Sequence, residues 1–132
     1  MSFLVDTDTC SAHLKGNARV SNRFLQYAGN LYISVVALGE LYTWALRAKV
    51  SPRRLLSLQA FLNDVVILEL TADIAKKFGD IRAGLLDRGL PTPEMDLLIA
   101  ATALHHGLTL VTHNVTDFAN VPNLKVVDWM VP

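Results

Sequence analysis

Short apolar runs with no polar face punctuate this chain, each followed by a stretch that reads as helix or turn. Phe3-Leu4-Val5 is the first, Leu31-Tyr32-Ile33 the second and Val65-Val66-Ile67-Leu68 the third. Leu108-Thr109-Leu110-Val111-Thr112 and Lys125-Val126-Val127 complete the series. A strand that alternates in polarity can lie on a wet surface, but one that is apolar on both sides must be covered on both. Strands of that kind, with helices between them, require right-handed crossovers and parallel pairing. The sequence predicts an α/β fold of three layers, with a central, mostly parallel sheet flanked by helices.

The helices announce themselves by their caps. Thr7 or Thr9 is expected to cap a first helix ending near Gly16, and Asn17 a second, on which Val20, Phe24 and Tyr27 recur at helical spacing. After the break at Gly29-Asn30, Ser34 caps a long helix reaching about Lys49. Ser51-Pro52 then starts one that runs to about Leu62. Thr71 caps a helix carrying Ile74, Phe78, Ile81 and Leu85 through to Gly89. Thr92-Pro93 repeats the cap-plus-proline device for a last helix, which Gly107 ends. No repeat, linker or low-complexity segment interrupts the 132 residues, so residues 1–132 read as a single domain large enough for a real core.

Into this apolar frame the chain sets acids where leucine would pack better. Asp6 ends the first run. Glu40 interrupts Ile33-Ser34-Val35-Val36-Ala37-Leu38-Gly39-Glu40-Leu41, Asp96 opens Asp96-Leu97-Leu98-Ile99-Ala100-Ala101, and Asp117 follows the fourth run. A buried carboxylate without a partner is costly. No lysine or arginine lies within four residues of Asp6, Glu40 or Asp96. Open parallel sheets gather ligands at the carboxyl ends of their strands, which is where these acids fall if the topology is as predicted. Convergent hard oxygen ligands suit Mg²⁺ or Mn²⁺, and such a centre suits phosphodiester chemistry. Taken singly, each acid has a plainer reading: Asp6 as a helix cap, Asp96 as a charge favouring its helix N-terminus, Asp117 as a turn residue.

The same stretches resemble the PIN-domain ribonucleases, specifically the VapC toxins of toxin–antitoxin pairs. Leu4-Val5-Asp6-Thr7-Asp8-Thr9, the segment around Glu40, the segment from Asp96 and Leu110-Val111-Thr112-His113-Asn114-Val115-Thr116-Asp117-Phe118 carry the likeness, in order and across nearly the whole chain. The resemblance implies a PIN fold, a Mg²⁺- or Mn²⁺-dependent endoribonuclease, and a cognate VapB-type antitoxin. It also implies that Asp6, Glu40, Asp96 and Asp117 bind the metal, and a homodimer is expected. The chain departs from the pattern twice. Many relatives have asparagine where Asp8 stands, and many have an acid where Asn114 stands. Thr112 and Asn114 are then expected to support the site by holding a water or a ligand carboxylate. Two other readings use the same residues: a non-catalytic PIN-like module that binds RNA or protein, and a metal-dependent DNA nuclease or phosphatase.

The remaining chemistry is plainer. Twelve basic and twelve acidic residues cancel, so net charge does not decide for or against nucleic acid. Arg19 and Arg23 share a helical face and are candidates for RNA contact; Arg47, Lys49, Arg53 and Arg54 form a second basic cluster. Tyr42 and Trp44 suit either the core or an apolar groove for a partner. His105-His106 and His113 suggest zinc only weakly, because adjacent helical histidines point about 100° apart. The lone Cys10 permits no internal disulfide. With no apolar stretch near the roughly 20 residues of a membrane helix and no export signal, a cytoplasmic protein is expected.

Overall fold

The computed structural model describes residues 1–132. Its strands are β1 (Phe3–Val5), β2 (Leu31–Ser34), β3 (Val66–Leu68), β4 (Thr109–Val111) and β5 (Val126–Val127). All pair in parallel, in the order β3-β2-β1-β4-β5. Six helices connect and cover them: α1 (Thr7–Leu14), α2 (Ala18–Gln26), α3 (Val35–Leu46), α4 (Arg53–Leu62), α5 (Ala72–Asp87) and α6 (Glu94–His106). The expected three layers are present. None of the helices is long and apolar enough to cross a membrane.

The period-2 geometry of a strand divides the core in two. Phe3 and Val5 of β1 point to one face, where they join Leu31, Ile33, Cys10, Val20, Phe24, Leu41, Leu58, Phe61 and Trp129. Leu4, between them, points to the other and joins Leu110, Ile74, Ile81, Leu85, Leu97 and Phe118. Helices α1 to α4 thus supply one layer of side chains and α5 with α6 the opposite one. Each large apolar side chain withdrawn this way stabilises the fold by about 1.5–3 kcal/mol. The expected cover is incomplete at the sheet edges, where Val66 and Ile67 of β3 and Val127 of β5 stay exposed.

Three local expectations are corrected. The cap of α1 is neither Thr7 nor Thr9 but Asp6, whose Oδ1 accepts the Thr7 backbone N–H at 2.8 Å. Helix α3 stops at Leu46, short of Lys49, because Arg54 from α4 donates to the Trp44 carbonyl at 3.2 Å and the backbone turns extended at Arg47. Thr92 does not cap α6: its hydroxyl donates to the Leu90 carbonyl, and Pro93 leads into the helix without a side-chain cap. Asn17, Ser34 and Thr71 cap as expected, with Ser34 Oγ accepting Val36 N–H at 2.9 Å. Gly107 closes α6 in the left-handed conformation at φ 65°, which a residue with a Cβ adopts only under strain.

The strand order also fixes where a site can lie. From β1 the chain moves to β2 and β3 on one side, then crosses to β4 on the other. Adjacent strands that diverge in this way leave a crevice at their carboxyl ends. Here that crevice opens between the ends of β1 and β4, beside Asp6 and Thr112.

Candidate active site

Asp6 follows β1 directly and is tied to β4 through its backbone, its N–H donating to the Val111 carbonyl at 2.8 Å. The residue is 6% exposed. Oδ1 caps α1, and Oδ2 accepts the Thr112 hydroxyl at 2.9 Å. The capping and site readings of Asp6 are therefore both true. Glu40 projects from the middle of α3, and its Oε1 accepts the Thr7 hydroxyl at 2.9 Å. Asp96 comes from the first turn of α6. Together Asp6, Thr7, Asp8, Glu40, Asp96 and Asn114 line a cavity of about 230 Å³ with no apolar residue among them. A cleft of about 540 Å³ between α1, α2 and α4 is larger, but Asp64 is its only acid and its walls include Phe24, Leu31 and Phe61.

The electrostatics follow from burial and crowding. Burial pushes the Asp6 carboxyl up to about 6; the neighbouring Asp8 adds to the rise and Asp96 contributes less, while the bonds from Thr112 and Thr7 oppose it. The Asp96 carboxyl is also raised, first by burial, then by Asp117, Glu40 and Asp8. No lysine or arginine lies within salt-bridge distance of any of these acids. Hard oxygen donors in a polar pocket with unbalanced negative charge fit a small divalent cation. As the side chains stand, however, no three of them form a ready-made metal site. Both Asp6 oxygens and one Glu40 oxygen accept hydrogen bonds from Thr7 and Thr112.

Thr112 holds the centre of this network. Its hydroxyl has one proton, yet faces Asp6 Oδ2 at 2.9 Å and Asp8 Oδ2 at 3.3 Å, and it accepts the Asn114 N–H at 3.1 Å. Thr112→Val keeps the shape and deletes the bonds. In EDTA at pH 7 it should cost roughly 1.5–3 kcal/mol, whereas Thr112→Ser should cost far less. Equal urea midpoints for the two variants would show that the hydroxyl holds nothing.

The other expected site residues are placed less uniformly. Asp8 and Asn114 line the cavity. Asp117 lies on the exposed 3₁₀ turn Val115–Phe118; it acts on Asp96 through its charge but does not line the cavity, so the expected full meeting of the acids is incomplete. Arg19 and Arg23 are exposed on α2 and do not line it either, and Arg23 spends a donor on Gln26. Arg54 covers the Trp44 ring at 5.0 Å, and Tyr42 and Trp44 pack against the core. The His105 and His106 rings stand at 86° to each other, and His113 pairs with Asp128 instead. Sequence reasoning missed Thr7 as the partner of Glu40. The signal was its place beside Asp6, at the mouth of the same strand.

Comparison with known proteins gives this geometry a context. The PIN domain family matches residues 3–124. The tRNA(fMet)-specific endonuclease VapC of Shigella flexneri is 34% identical over 130 residues, 98% of each chain. The chain belongs to the PIN-domain family and to its VapC group. The VapC2 ribonuclease of Haemophilus influenzae is 30% identical over 131 residues, covering 98% of this chain and 99% of the relative. Among solved structures, the DNA-bound VapBC complex of Salmonella typhimurium contains a chain superposing with a TM-score of 0.91 at 30% identity, over 98% of both chains. This VapC-group chain therefore shares its fold with its relatives across their full length.

Proposed function

We propose that the chain is an endoribonuclease and the toxin member of a type II toxin–antitoxin pair. The observation that carries the reading is the acidic cavity at the switch point of the sheet, in a chain similar to VapC ribonucleases over its whole length. Asp6, Glu40 and Asp96 would hold a divalent cation, Mg²⁺ or Mn²⁺, with Asp117 adding charge from the rim. Bound there, such an ion would lower the pKa of its water, polarise a phosphoryl oxygen and offset charge on the leaving oxygen.

The chain's own residues prepare for this. Thr7 and Thr112 fix the directions of the Glu40 and Asp6 carboxylates through single hydroxyl bonds. Those bonds can yield when a stronger partner arrives, which keeps both carboxylates aimed yet available. Asn114, anchored by its backbone to Thr112, lines the cavity beside them. The test is cleavage of labelled RNA in Mg²⁺ and in Mn²⁺ against an EDTA control, with DNA of the same sequence and a phosphate monoester in parallel. Transfer RNA is the first substrate to try, because relatives in Shigella and Salmonella are named for it. Cleavage of DNA or monoester but not RNA would replace this reading.

The partner follows from the same charge. A cavity of carboxylates without a cation attracts lysine or arginine, and an antitoxin segment that places one there would shut the site. Titrating the antitoxin into the cleavage assay should abolish activity at one equivalent of binding. Tight binding with cleavage untouched would place the antitoxin on another face.

A further inference from the structure

The cavity that draws cations also repels the phosphates of any RNA laid across it. Its lining includes no lysine or arginine. One basic side chain stands on the loop next to it. His113 follows β4 by one residue, and its backbone N–H donates to Asp8 Oδ2 at 3.1 Å. The next residue, Asn114, bonds Thr112 and lines the cavity. The loop carrying His113 is thus pinned to the site on both sides.

The imidazole itself is held from β5. Its Nδ1 lies 2.9 Å from Asp128 Oδ2, with the His113 side chain 56% exposed and that of Asp128 only 12%. The other Asp128 oxygen accepts the Met130 N–H at 2.9 Å, so the carboxylate is fixed before it meets the ring. A bond at Nδ1 to a carboxylate sets the orientation of the ring and places a proton there, on a side chain that is half in solvent. In the imidazolium form Nε2 is a second donor, and charge-assisted bonds of that kind suit phosphate oxygens.

We propose that His113, oriented by Asp128, binds a backbone phosphate of the RNA strand beside the acidic cavity. The proposal rests on the endoribonuclease reading and adds to it the substrate contact that the cavity lacks. Asp128 is the positioning residue and His113 the one that touches substrate. Mere satisfaction of Asp128 would not require the ring to stand half in water on the site's own loop.

The experiment compares wild type with His113→Ala, His113→Arg and Asp128→Asn. Steady-state cleavage of RNA gives KM and kcat. Anisotropy of a fluorescein-labelled single-stranded RNA, measured in an Asp96→Asn background over a KCl series, gives affinity and salt slope. His113→Ala should weaken binding and raise KM roughly threefold to tenfold, with the effect on KM rather than kcat. Measured at about pH 5.5, where an ordinary imidazole is charged, the salt slope should fall by about 0.7, the value of one phosphate contact on a single strand. His113→Arg should restore the slope, and Asp128→Asn should fall between. An unchanged slope in His113→Ala overturns the proposal. So does an arginine variant that binds no better than alanine while both melt lower, since His113 would then serve only the fold. If wild type binds this RNA but cleaves neither it nor transfer RNA in Mg²⁺ or Mn²⁺, the nuclease reading fails, and the salt slopes still decide the role of His113.

Discussion

Replacing Asp96 with asparagine should reduce RNA cleavage at least about a hundredfold while leaving the ion-free protein as stable as wild type or more so. The two halves of that result have one cause. Asp96 projects from the first turn of α6 into a cavity shared with Asp6, Asp8 and Glu40. Burial and the charges of Asp117, Glu40 and Asp8 all raise its carboxyl, so the ionised form is held against its preference. Asparagine fills the same space without the charge and relieves that repulsion. It also removes an anionic ligand from the cation that cleavage would require.

The opposing effect is small. A carboxylate near a helix N-terminus contributes about 0.3–1 kcal/mol, and Glu94 in the same turn remains. Thermal melts in EDTA, paired with cleavage in Mg²⁺, separate the contributions. A variant that melts several degrees lower yet cleaves normally would make Asp96 a helix-end charge and nothing more.

The sequence revealed the parts of this architecture that depend on local chemistry. Apolar runs without a polar face mark the strands, covered on both faces in β1 and β4 though not at the edges, and Asn17, Ser34 and Thr71 cap their helices because a short oxygen-bearing side chain satisfies orphan N–H groups. What stayed hidden depends on distant groups. Leu46-Arg47-Ala48-Lys49 are good helix formers, and nothing nearby says that α3 stops at Leu46. The stop comes with Arg54, which reaches back to satisfy the Trp44 carbonyl. The cap of α1 was left open because Asp6, Thr7 and Thr9 are all competent, and only the backbone turn after β1 selects Asp6 among them.

The candidate site divides along the same line. Asp6, Glu40 and Asp96 were legible because a carboxylate inside an apolar run has no cheap explanation, and the structure faces all three into one cavity. Asp117 was less legible, since an acid in a turn is ordinary, and it sits on a 3₁₀ turn outside the cavity lining. The hydroxyl bond from Thr7 to Glu40 was not visible at all, and the one from Thr112 to Asp6 was visible only as an expected hold on a ligand carboxylate. They join residues 33 and 106 positions apart, and no periodicity records such a pairing.

The metal-free protein should lose stability as pH rises from 5 to 7, with Asp6 as the main cause. Its carboxyl titrates near 3.9 in an unfolded chain and at about 6 in the fold, where it is almost fully buried beside Asp8. The folded state therefore binds this proton more tightly than the unfolded state. The contribution to stability is complete below pH 4 and is lost as pH climbs through 6. At pH 7 the ionised carboxylate costs about 3 kcal/mol relative to its protonated form, which for a chain of this size moves the melting temperature by several degrees. Asp6→Asn should flatten the pH dependence, because asparagine caps α1 nearly as well and does not titrate. The Thr112 hydroxyl, released from Asp6, still has Asp8 Oδ2 at 3.3 Å as an acceptor, so the substitution strands no donor. Mg²⁺ should reverse the trend in wild type, since a bound cation favours the ionised form, and should leave the asparagine variant nearly unmoved. Melts at pH 5, 6 and 7 in EDTA and in Mg²⁺ test every step. Parallel pH profiles for wild type and Asp6→Asn would mean that the cost of the buried charge lies elsewhere in the fold.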